Sequence, residues 1–240
     1  MNEQHVRWYT QYLSRDFDML TFGHAGYPFI LFPTSLGRYY QHKDCGLVGS
    51  VAPLLAAGRI RLYCPDGIDR ESWQNKAISP ADRVRTHLAY ENVILHDVVA
   101  RVRAETGHDR LGVAGAGFGG YHAVNFALRH PDVVSHCISL SGVFDVRSLL
   151  DGQTDDNSYF NNPVEYLPKL DDPWFLDRLR VMGIVLGTGD QDHSRDANLH
   201  LSHLLHTKGI PHLLDDRRSC GHDWNHWRDM LPHYLSRLRN

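Results

Sequence analysis

Residues 111–123 read Leu111-Gly112-Val113-Ala114-Gly115-Ala116-Gly117-Phe118-Gly119-Gly120-Tyr121-His122-Ala123. The apolar start, Leu111–Ala114, has the length and composition of a buried strand, and the glycines after it make a tight turn. Tyr121–Arg129 then reads as a helix. A strand passing straight into a helix is the building unit of a parallel sheet with crossover helices. In the pattern G-x-S-x-G such a turn carries a nucleophilic serine. Here Gly115 and Gly119 are the flanking glycines, and Gly117 stands where the serine would be. The position demands positive φ, which costs a residue with a side chain about 1–3 kcal/mol and glycine almost nothing. The amides of Phe118 and Gly119 still open a helix N-terminus, a setting that attracts anions. The turn therefore keeps half of an oxyanion hole and lacks the hydroxyl.

The same glycines, Gly115-x-Gly117-x-x-Gly120, also fit the dinucleotide fingerprint G-x-G-x-x-G. That fingerprint needs an acid at the end of the next strand, and Leu140-Ser141-Gly142 stands there instead. No nucleotide cofactor is expected.

Working outward, strands and helices alternate on both sides. His5–Leu13 and Asp16–Phe22 read as a hairpin, followed by the strand Pro28–Phe32, the helix Leu47–Ala57 and the strand Ile60–Cys64. Pro80 opens a long helix, Ala81–Glu105, and Val134–Leu140 is the strand after the central helix. Val181–Leu186 is a strand, Asn198–Lys208 a helix, His212–Asp215 a short strand and Trp224–Leu238 the last helix. The expected fold is α/β: a mostly parallel sheet with helices on both faces and an N-terminal antiparallel hairpin, residues 1–240 forming one domain. The stretch 146–180 breaks the alternation. Its turn formers mixed with Tyr159, Phe160, Tyr166, Trp174 and Phe175 read as a compact insertion, either a lid over the ligand site or a packed cover.

Composition narrows the function. The chain has 240 residues, 42% hydrophobic and 22% charged, with a net charge of −3. No basic cluster stands out, so neither nucleic acid nor a membrane surface is an expected partner. No signal-peptide pattern and no apolar run of membrane-spanning length are evident, and the scattered Cys45, Cys64, Cys137 and Cys220 read as reduced thiols of a cytoplasmic protein. Among 17 histidines, His200, His203 and His206 share one helix and His222 and His226 are four apart. No H-E-x-x-H accompanies them, so no metal is expected.

An acid and a histidine follow the glycine turn in chain order. Gly187-Thr188-Gly189-Asp190-Gln191-Asp192 follows a strand, and an acid just past a strand end is where a triad holds the group that orients its histidine. Asp190 is the first choice and Asp192 the reserve. His222, in Cys220-Gly221-His222-Asp223-Trp224, opens the last helix and is the candidate base. Ser35, Ser72, Ser141 and Cys220 are the only replacements considered for the nucleophile, each displaced from the turn or locally constrained.

These pieces resemble the Putative esterase family of α/β-hydrolases, which includes feruloyl esterases, S-formylglutathione hydrolases and mycolyltransferases. The resemblance rests on Phe32-Pro33-Thr34-Ser35-Leu36-Gly37-Arg38, the turn with Tyr121-His122-Ala123, Arg129-His130-Pro131-Asp132, Leu140-Ser141-Gly142, Gly187–Asp190, and Gly221-His222-Asp223-Trp224 with Trp227-Arg228. It implies Asp190 as the acid, His222 as the base, and a second oxyanion amide from Thr34–Leu36. Gly117 departs from the family's serine. Three functions follow: a disarmed scaffold that binds a small ester or acyl ligand, an enzyme using the acid–histidine pair as general base without a covalent intermediate, or an ordinary serine esterase carrying an inactivating substitution. Self-association into a homo-oligomer is compatible with the composition.

Overall fold

The computed structural model describes residues 2–238. Eight strands form one sheet: β1 (Glu3–Thr10), β2 (Arg15–Phe22), β3 (Tyr27–Phe32), β4 (Ile60–Pro65), β5 (Leu111–Ala116), β6 (Val134–Leu140), β7 (Gly183–Gln191) and β8 (Leu213–Gly221). Their order is β1-β2-β4-β3-β5-β6-β7-β8. The hairpin β1–β2 is antiparallel and joins β4 antiparallel, while every pair from β4 to β8 is parallel. The expected α/β architecture is therefore present. Central β5 is buried at all six positions, which explains why its sequence is a continuous apolar run and not an alternating one.

Helices cover both faces. On one lie α1 (Pro80–Asn92), α2 (Val99–Thr106), α3 (Phe118–Arg129) and, further along, α5 (Arg195–Thr207); the short α4 (Pro173–Leu179) precedes β7. On the other lie the pieces Leu47–Ser50 and Ala52–Ala56 with α6 (Trp224–Leu235), packed on Leu31, Leu62, Ala114 and Ile138. The single helix expected over Leu47–Ala57 is two pieces, interrupted at Val51. The one expected over Ala81–Glu105 starts at Pro80, capped by Ser79 accepting from the Asp82 amide, and contains a widened π stretch at Val93–Val98.

Between β6 and β7 the insertion forms short helical pieces, including Asp156–Tyr159 and Pro163–Tyr166. It is fastened along α3. Tyr121 donates to the Asn161 carbonyl at 2.8 Å, Asn125 Nδ2 donates to Asn161 Oδ1 at 2.9 Å, and Arg129 Nη1 donates to the Phe160 carbonyl at 2.7 Å. Val146 and Leu150 pack with Trp73, Val84, Phe118 and Tyr121 in a cluster of their own. These contacts hold the segment along α3, and its first residues reach the start of that helix.

Candidate active site

Gly117 is the first residue after β5, Asp192 the first after β7 and His222 the first after β8. All three strands are parallel, so their ends share one edge of the sheet, the usual place for ligands in such folds. Gly117 has φ +55° and ψ −121°, the strained turn anticipated from sequence. A Cβ built on it would lie 3.2 Å from His222 Nε2. The imidazole thus faces the position a nucleophilic side chain would fill. Gly119 brings the helix against the end of β3: a Cβ there would come within 2.5 Å of the Phe32 and Pro33 carbonyl oxygens. That close approach holds the start of α3 against the Phe32–Pro33 backbone, and the Phe118 amide is one of the first-turn amides that a helix leaves without an internal partner.

The other end of the histidine is fixed by an acid. His222 Nδ1 lies 2.9 Å from Asp192 Oδ1, and the Asp192 side chain is fully buried. Burial by itself would raise the Asp192 pKa, but hydrogen bonds from His222, Ser141 and the Ser194 amide and hydroxyl outweigh it and leave the carboxyl well below the usual range. The Ser194 amide and hydroxyl reach Asp192 Oδ1 at 2.9 and 2.8 Å, and Thr188 Oγ1 donates to Oδ2 at 3.1 Å. An ionised acid beneath Nδ1 selects the tautomer with its proton on Nδ1 and its lone pair on Nε2, facing Gly117. Trp227 packs edge-on to His222, and its Nε1 donates to Ser141 Oγ at 2.9 Å.

Asp190, the acid preferred from sequence, does not contact His222: it is exposed and still within β7. The sequence reading ended that strand at Leu186, whereas backbone pairing with β8 carries it on to Gln191. The first residue past the observed end of β7 is Asp192, and it is the carboxyl that contacts His222. Thr188 and Trp227 belong to the pieces that carry the resemblance, but their contacts were not legible there and Ser194 was not marked at all; only the fold brings the three to Asp192 and Ser141.

In the loop expected to supply the second oxyanion amide, one candidate is excluded. The Thr34 amide donates to Gln41 Oε1 at 3.0 Å and is committed there. Ser35 and Leu36 are exposed, and Leu36 has φ +59°. Of the substitute nucleophiles, three are held by burial or hydrogen bonds and Ser35 is exposed on its loop. Ser72 is buried and donates to the Ile68 carbonyl, Ser141 serves Trp227, Ser35 lies out on the loop, and the buried Cys220 thiol is pushed up to about 11, burial being the main cause.

The chain belongs to the Putative esterase family, which it matches over residues 49–238. Solved structures share the whole fold. A ferulic acid esterase superposes with a TM-score of 0.77 at 19% identity, covering 98% of this chain and 96% of that one. An S-formylglutathione hydrolase from Staphylococcus aureus gives 0.70 at 16%, covering 98% and 97%. MPT51 of Mycobacterium tuberculosis gives 0.70 at 14%, again covering 98% and 97%. At such identities the likeness shows the fold alone. No curated protein sequence matches the chain. Among the described residues no helix is long and apolar enough to cross a membrane.

Proposed function

We propose that this protein is an esterase-family scaffold that binds a small ester or acyl-type ligand at the sheet edge and forms no acyl-enzyme there. One observation carries the reading: His222 Nε2 faces the Gly117 position at 3.2 Å, and that position has no side-chain atom to attack with. The ligand's carbonyl would lie before the Phe118 amide, with a Ser35 or Leu36 amide on its other side. A second reading is favoured by the intact Asp192–His222 pair, which could draw a proton from a water held where the hydroxyl is missing. General-base catalysis of this kind supplies only about 10²–10⁴-fold.

Two measurements separate these readings. A fluorophosphonate probe, which reacts with an activated serine, should leave the intact mass of the protein unchanged. Turnover of p-nitrophenyl acetate should be small, and His222→Ala should not lower it if the protein only binds. A His222-dependent rate without any adduct would favour the general-base reading. A stoichiometric adduct would sink both.

A further inference from the structure

His193 plays no part in the reading above, yet its ring lies against that of His222, with centroids 4.1 Å apart and planes 33° apart. One ligating atom from each of Asp192, His193 and His222 falls within 4.8 Å of the others. We propose that these three residues form a divalent transition-metal site, with Zn²⁺ the ion that fits, and that the ion switches the chemistry of His222.

The donor set is one buried carboxylate oxygen and two imidazole nitrogens, which suits Zn²⁺ and not Mg²⁺ or Ca²⁺. Zinc binds such ligands at about 2.0–2.2 Å, so the donors of a tetrahedral site lie about 3.3–3.5 Å apart. The gap between Asp192 Oδ1 and His222 Nδ1 is 2.9 Å and needs to open by only about half an ångström. His193 is exposed, so its ring is free to turn its lone pair toward the same point. Thr188 and Ser194 already fix the carboxylate by three hydrogen bonds, an arrangement that orients a ligand before the ion arrives. A fourth position stays open to water on the side where His193 and His222 meet solvent.

The consequence falls on the elbow. Without the ion, His222 carries its proton on Nδ1 and offers a lone pair from Nε2 toward Gly117. With zinc on Nδ1, that proton leaves to solvent, and the neutral ring carries one taken from solvent on Nε2. No net proton is gained or lost. His222 then changes from a base into a hydrogen-bond donor aimed at the ligand position. The zinc-loaded protein would hold a carbonyl or carboxylate oxygen there and could not accept a proton.

Calorimetric titration of the full-length, metal-stripped protein with zinc chloride tests the site. One zinc per chain should bind at the tightest class of site, and His193→Ala should weaken that class at least tenfold. Cobalt(II) should give the intense visible absorption of a tetrahedral site in the parent and lose it in His193→Ala. The double variant His200→Ala/His203→Ala, which removes two other histidines, should bind as the parent does. Equal affinity in parent and His193→Ala would overturn the proposal, as would loss of binding confined to the double variant or no binding at all. The outcome is independent of whether the elbow catalyses anything, because none of these readouts uses activity.

Discussion

Replacing Gly117 with serine tests the geometry of the elbow most directly. The new Cβ would stand 3.2 Å from His222 Nε2 and 3.7 Å from Cε1, so the imidazole must withdraw by a few tenths of an ångström. That is a small movement for a ring that is partly exposed, and it brings the hydroxyl into hydrogen-bond range of Nε2. The backbone stays at φ +55°, which for serine adds strain of about 1–3 kcal/mol. A chain of this length loses about 2–4 °C of Tm per kcal/mol, so Gly117→Ser should melt between about 2 and 12 °C below the parent. Losing the serine of a working triad costs about 10⁶-fold, so restoring it above an intact Asp192–His222 pair should raise ester hydrolysis by at least about 10³-fold. The assay is hydrolysis of a series of p-nitrophenyl and feruloyl esters, with fluorophosphonate labelling read by intact mass. Within Gly117→Ser, Asp192→Asn should remove most of the gain, about 10⁴-fold in the comparable case of a wrong histidine tautomer, whereas Asp190→Asn should leave it unchanged. The reasoning fails if Gly117→Ser is folded, keeps the strand–turn–helix geometry, and neither hydrolyses any ester nor labels. It also fails if Asp190→Asn proves to be the damaging change.

Two further outcomes follow from the surroundings of the site. Gly119→Ala places a methyl group within 2.5 Å of two backbone carbonyl oxygens on the β3 side, where nothing can rotate away; chemical denaturation should show a loss of about 2–3 kcal/mol, and stability equal to the parent would mean that the helix and the loop are not pressed together. Acid should weaken the fold through two buried histidines: burial holds His42 at about 4, and burial followed by repulsion from His122 holds His87 at about 3. Both lie below the unfolded value of about 6.5, so the unfolded chain takes up protons that the folded chain refuses, and stability is lost as pH falls below about 6.5. Between pH 7 and pH 5 each histidine should account for about 2 kcal/mol, read from urea unfolding at the two values, and His42→Gln should remove about half of that pH dependence. A slope identical in His42→Gln would refute the assignment.

The sequence by itself determined the class of the fold and the identity of the turn. The apolar run of β5, the glycines after it and the alternation of strand and helix patterns leave little choice but a parallel sheet, because local patterning encodes which faces must be buried. The order of turn, acid and histidine was also legible, since each follows a strand and chain order survives folding unchanged. The choice between Asp190 and Asp192 was not. It depended on how far β7 runs, and that is set by hydrogen bonds to β8, a partner whose pairing length no local pattern encodes. His193 beside His222, and Ser194 beside Asp192, lie outside any motif for the same reason. So does the fastening of the insertion to α3 through Asn161. A residue's type fixes what chemistry it can offer, but which neighbours it meets across tens of residues of chain is decided only when the sheet closes and brings the ends of β5, β7 and β8 to one edge.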